Sequence, residues 1–132
     1  MGSKRYNKNM HNRDPKEYTR SQLRYIFRRI IKRISEKPRG YFVFKRMRGI
    51  CGEYCWDESI KIDHRKQLIP TIIHEVLHDL YPKNWEGWVA RIELKIVNIL
   101  TPYDIWKLLS IFFTKVDIGP YKRLKVKRKR IK

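Results

Sequence analysis

Leu68-Ile69-Pro70-Thr71-Ile72-Ile73-His74-Glu75-Val76-Leu77-His78-Asp79-Leu80 is the stretch on which the reading of this chain turns. Its apolar residues recur at three- and four-residue intervals, as a helix with one core-facing side requires. Residues four apart stack on adjacent turns, so His74 and His78 share one edge of the apolar stripe and Glu75 lies beside them. An H-E-x-x-H run in that setting offers two imidazoles to a single metal ion and a carboxylate to act as base. With 4 His and 7 Glu in 132 residues, random placement would produce the pattern in about half a percent of such chains. The helix is therefore expected over 68–81, with Pro70 tolerated in its first turn.

Outward from this helix, Tyr81-Pro82-Lys83-Asn84 breaks the chain, and Asn84 is the expected N-cap of a helix over 85–100. Thr101-Pro102-Tyr103-Asp104 reads as a fresh cap with Pro at the first helical position, opening a strongly apolar helix over 102–114. Upstream, residues 17–36 place Leu23, Ile26, Phe27, Ile30 and Ile34 on one face and Arg20, Arg24, Arg28 and Lys32 on another. Two strands are expected within 41–63, at Tyr41-Phe42-Val43-Phe44 and around Ile60 and Ile62, paired antiparallel with Cys51 to Asp57 as their connection. The expectation is an α+β fold, with a small antiparallel sheet packed on a helical core, in a single domain over 17–114.

Charge frames that domain. The chain carries a formal net charge of +19. Residues 1–40 hold 13 Lys/Arg against 3 acids, 115–132 hold 9 against 1, and 41–114 hold 10 against 9. A basic flexible arm (1–16) and a basic tail (115–132) thus flank a nearly neutral centre, which points to a polyanionic partner, DNA or RNA first. No run reaches the roughly 18 apolar residues of a membrane span, and the N-terminus lacks the apolar centre of a signal peptide. A soluble, cytoplasmic protein is expected, with nuclear import through 125–130 if the source is eukaryotic and association with virions if it is viral. Cys51 and Cys55, the two cysteines of the chain, have no second pair to complete a four-sulfur site and read first as reduced thiols, with a redox pair or a secondary metal site as the alternatives.

Two imidazoles leave a third protein ligand to be found if the fourth position is to hold water. Glu86 and Glu93 both fall on the inward face of the 85–100 helix. Glu86 is preferred, because the Pro82 turn returns that helix start to the neighbourhood of His78. Glu93 pairs with an Arg or reaches solvent on the plainer view. Asp79 points about 100° away from His78 and is expected in an outer shell or at the surface. His64 is read as a loop residue, more often a surface group than a ligand, and Trp85 and Trp88 as packing residues. Glu75 is the proposed general base for water bound to zinc.

The run Gln67 to His78, with Ile60-Lys61-Ile62-Asp63 ahead of it, resembles small zincin-type zinc metallopeptidase-like proteins of the minigluzincin and SprT-like kinds, common in phage and microbial genomes. The resemblance covers about residues 41–114. In the small phage-type relatives the motif helix is followed by a turn and a helix opening Ser-Glu-x-x-Val. Trp85-Glu86-Gly87-Trp88-Val89 fills that place here, which implies Glu86 as third metal ligand and departs from the pattern at Trp85. SprT-like enzymes proper supply a third His downstream, and this chain has none after His78. The resemblance implies a zinc-dependent peptidase acting on a protein or peptide substrate; Spartan-type relatives cleave proteins crosslinked to DNA, which the basic arms would suit. The second reading is a non-catalytic nucleic-acid-binding or virion-associated protein whose metal site is structural or vestigial.

Overall fold

The computed structural model describes residues 17–50, 52–55, 58–63, 65 and 67–117. The arm at 1–16, the tail beyond 117, Cys51 and His64 lie outside them. Among the described residues, helices α1 (Arg20–Glu36), α2 (Leu68–Leu80), α3 (Glu86–Ile99) and α4 (Pro102–Lys115) accompany strands β1 (Phe42–Phe44), β2 (Gly52–Tyr54), β3 (Ile60–Ile62) and β4 (Val116–Asp117). The α+β class holds, with the sheet packed against helices. None of these helices is long and apolar enough to cross a membrane.

The sheet corrects the antiparallel expectation. Its order is β2-β3-β1-β4, and β1 runs parallel to both β3 and β4, with Phe42 opposite Ile60 and Val116. Only β2 and β3 are antiparallel, with Gly52 opposite Ile62 and Tyr54 opposite Ile60. The cause lies in the segment read as a connection. Gly52-Glu53-Tyr54 is itself a strand, closed onto β3 by a turn in which the Cys55 N–H donates to Ser59 O and Glu58 takes a positive φ of 66°. A hairpin occupies the antiparallel pairing of β3, and β1 is left to pair with its other edge in the parallel sense. The tail also begins later than expected, since Lys115 ends α4 and Val116-Asp117 joins the sheet beside β1. Gly40, at φ 100°, turns the chain from α1 into β1 and donates its N–H to Lys115 O, which fixes where β4 lies.

Caps and burial explain the helices. Thr19 and Gln22 form a reciprocal capping box at α1, whose Leu23, Ile26, Phe27, Ile30 and Ile34 are buried. Thr101 and Asp104 form the second box, with Pro102 at the first position of α4, as the sequence predicts. At α3 the N-cap is Trp85 rather than Asn84, and its side chain supplies no hydrogen bond. The motif helix α2 touches α1, α3, β2 and β3, and Ile72, Ile73, Val76 and Leu77 are fully buried among them. Phe42 on β1 meets Phe112 of α4 at a ring separation of 4.6 Å, so sheet and helices share one core.

Asp104 also ties α4 to α1. Arg24 donates to it as a fork, Nη1 to Oδ2 at 2.6 Å and Nη2 to Oδ1 at 3.1 Å. The Arg24 hydrogen bond holds the Asp104 carboxyl well below the usual carboxylate range against the opposing effect of burial, and Thr101 adds to the lowering. A carboxyl whose pKa is lower in the folded than in the unfolded chain contributes stability that is present above about pH 4 and lost as pH falls toward the folded value. Asp104→Asn is therefore expected to lower unfolding free energy by about 2 kcal/mol at pH 7. Urea titrations should show this difference narrowing below about pH 4; a difference that does not change with pH would contradict the assignment.

Candidate metal centre

Helix α2 presents His74 and His78 one turn apart, and the turn from Tyr81 to Trp85 brings Glu86, the first residue of α3, across from them. Tyr81 N–H closes α2 on Leu77 O, and Asn84 N–H donates to Tyr81 O, so the reversal is hydrogen-bonded. The two Nε2 atoms stand 3.3 Å apart. Glu86 reaches both, Oε2 at 2.8 Å from His74 Nε2 and Oε1 at 2.8 Å from His78 Nε2. Adjacent corners of a tetrahedron drawn with metal–ligand bonds of about 2.0–2.1 Å lie about 3.3 Å apart. The imidazole pair has that spacing, while the carboxylate stands closer, at hydrogen-bond distance. Two nitrogens and a carboxylate oxygen, all within 4.8 Å of one another, are a donor set that suits a divalent transition metal.

Glu93, the rival third ligand, sits behind this group rather than in it. Its Oε1 lies 2.8 Å from His74 Nδ1. Glu93 accepts a hydrogen bond from Nδ1–H there, which in the neutral ring leaves the lone pair of His74 on Nε2, facing Glu86 and His78. Burial opposes protonation of His74, but the Glu93 hydrogen bond and the charges of Glu86, Glu75 and Glu93 outweigh it and raise its pKa above the ordinary imidazole value.

Glu75 is only 7% exposed. The backbone N–H of Tyr54 on β2 lies near its carboxylate and favours the ionised form, and Glu75 lines the same cleft as His74, His78 and Glu86. Burial raises its pKa above the usual glutamate value; the nearby imidazoles and the Tyr54 N–H act in the opposite direction and are outweighed. The cleft holds about 700 Å³, bounded by α2 and α3 on one side and by β2 with Gly49 and Ile50 on the other. Asp63 supports that second wall. It is buried, pairs with Arg65 at 2.7 Å and accepts from Met47 N–H at 2.9 Å. Those bonds, Arg65 foremost, hold its carboxyl well below the usual range.

Asp79 departs from the expectation of an outer-shell or surface group, engaging Tyr41 and Arg33 instead. Its side chain is 7% exposed, and it accepts from the Tyr41 hydroxyl with Arg33 Nε 3.8 Å away. Tyr54 also reaches it, and burial together with the Asp79 carboxylate pushes the Tyr54 phenol up to about 12. Tyr54 thus lies against α2 with its backbone N–H near Glu75 and its hydroxyl near Asp79. The four-residue spacing of the two acids was the available signal for a shared face. Trp88 packs as expected, 1% exposed beside Tyr18 and Tyr81, whereas Trp85 is 64% exposed. The Trp85 ring lies over Gly87, where a Cβ would meet it at 1.8 Å unless the exposed ring swung aside. Cys55 carries a free thiol 3.3 Å from Lys61 Nζ, away from the imidazoles.

Comparison of the chain with known protein families, with curated proteins and with solved structures finds no match, so a reading of its function rests on the chemistry of this cleft.

Proposed function

We propose that the protein is a zinc-dependent peptidase whose metal is held by His74, His78 and Glu86 and whose general base is Glu75. The observation that carries this reading is the convergence of both imidazole Nε2 atoms and the Glu86 carboxylate beside a buried glutamate with a raised proton affinity. A zinc ion bound there supplies Lewis acidity toward a peptide carbonyl and lowers the pKa of a water molecule to near neutrality. The residues of the chain do the rest. Glu75, poorly solvated and aimed into the cleft, takes the proton of the attacking water and returns it to the leaving amine nitrogen. Tyr54 N–H, close to that carboxylate, favours its ionised form. Glu93 holds His74 in the tautomer that binds metal, and Glu86 supplies a donor from a second helix, so the centre forms only when α2 and α3 are docked.

The basic arm and tail support a further element of the proposal, recruitment to DNA or RNA. Neutralising phosphates releases counterions, so affinity for a DNA duplex should fall steeply between about 50 and 200 mM salt; a flat response would exclude it.

Metal content tests the centre directly. The purified chain should take up about one zinc, His74→Ala and His78→Ala should each abolish tight binding, and Glu93→Gln should weaken it by about 10- to 100-fold. Failure to load any divalent metal would end the peptidase reading. Stoichiometric metal without hydrolysis of any peptide would favour a structural site in a nucleic-acid-binding protein.

A further inference from the structure

We infer that the cleft selects cationic peptide segments, and that Glu53 on the rim of β2 receives a Lys or Arg side chain beside the bond to be cut. The inference rests on the peptidase reading and names the substrate class of that site.

The distribution of charge carries it. The chain has 32 Lys and Arg against 13 Asp and Glu, yet among the described residues the cleft is lined by Glu53, Glu75, Glu86 and Glu93 and by no Lys or Arg. Even with a divalent cation among His74, His78 and Glu86, the three carboxylates of Glu75, Glu86 and Glu93 outweigh two positive charges, and Glu53 adds a fourth at the rim. A concave wall of one sign with low-dielectric sides focuses its field on the ligand. The field in this cleft attracts cations, opposite in sign to the net charge of the chain. Nucleic acid held by the basic segments is thereby kept out of the site, while a basic stretch of protein is drawn in.

Three of the four glutamates already have work. Glu86 engages both imidazoles, Glu93 orients His74, and Glu75 lies beside Tyr54 N–H. Glu53 has no such engagement. It is the exposed middle residue of β2, and its carboxylate makes no ion pair among the described residues. Lys61, directly opposite it on β3, turns its ammonium to Cys55 Sγ at 3.3 Å and Ser59 Oγ at 3.5 Å instead. Gly52 faces Thr71 and Glu75, and the Tyr54 hydroxyl reaches Asp79, so both neighbours face α2. By strand alternation, the Glu53 side chain stands on the opposite face. Since β2 is an outer strand of the sheet among the described residues, a peptide laid along its outer side would place every second side chain beside Glu53.

The test uses two fluorescent peptides of equal length that differ only in Lys-for-Glu exchange at alternate positions. Binding is read by anisotropy on the zinc-loaded Glu75→Gln chain, and cleavage by mass spectrometry on the wild type. The Lys peptide should bind and be cleaved at least about tenfold better. Glu53→Gln should reduce that ratio by about three- to fivefold, and Glu53→Lys by more, with zinc content unchanged. Equal handling of the two peptides, a preference untouched by Glu53→Lys, or no binding of either peptide would overturn the inference. Glu53-dependent binding of the Lys peptide without any cleavage by the wild type would uphold the selectivity and refute the peptidase reading.

Discussion

Glu75→Gln should lower peptide hydrolysis by about a thousandfold, within the range that positioned acid–base groups contribute, while zinc uptake and fold survive. The amide keeps the shape of the side chain, and its carbonyl oxygen can still lie beside Tyr54 N–H. What disappears is the ability to take a proton from water and return it to the leaving nitrogen. Stability should not follow activity. Burial raises the Glu75 pKa, so an ionised Glu75 at neutral pH works against the folded state, and a neutral isostere removes that penalty. The expected pattern is therefore loss of turnover with an unchanged or higher melting temperature. A variant that loses turnover together with zinc or melting temperature would place Glu75 in the framework rather than in the reaction. Full activity in Glu75→Gln would remove it from the mechanism.

The parts of this molecule that the sequence made legible are those in which one helix carries the signal. His74, Glu75 and His78 declare a shared side by their spacing, and Thr101-Pro102 with Asp104 declares a helix start, because both depend on neighbours a turn away. The sheet was legible only in part. The apolar β1 and the alternating β3 show in the sequence, but β4 has only two residues, and Gly52-Glu53-Tyr54 has neither an apolar run nor a strong strand former at its first two positions. Pairing partners are then settled by the hairpin and by the docking of α2, neither of which is local. Glu86 and Glu93 lie between these cases. The helix that bears them was legible, but which one reaches the Nε2 side of His74 and which the Nδ1 side depends on how α3 crosses α2. Asp79 shows the same limit, since Tyr41 and Tyr54, which bury it, come from segments 38 and 25 residues upstream.

The wall opposite the imidazoles should fail when Gly52 acquires a side chain. A Cβ at this position would lie 2.6 Å from Thr71 Cγ2, 3.1 Å from Lys61 O and 3.2 Å from Glu75 Cγ. The first distance is a collision, and the lysine carbonyl is backbone that cannot yield without disturbing the β2–β3 pairing. Gly52→Ala must therefore lift β2 from α2, at a cost of about 2 kcal/mol for an overpacked interior site. The same displacement draws Tyr54 N–H away from Glu75, and a base moved by about 1 Å can lose on the order of a hundredfold in rate. Zinc uptake should change little, since His74, His78 and Glu86 belong to α2 and α3. Thr71→Ser removes the colliding methyl and keeps the hydroxyl that donates to Gln67 O. Alone it should destabilise by about 1 kcal/mol through the lost methyl, and in the Gly52→Ala background it should cost less or even stabilise. Urea titration of the four chains of this cycle gives the coupling, and peptide turnover in each reads the position of Glu75. Additive effects, or wild-type stability in Gly52→Ala, would mean that β2 does not press on α2, and the close approach that orients the base would have to be abandoned.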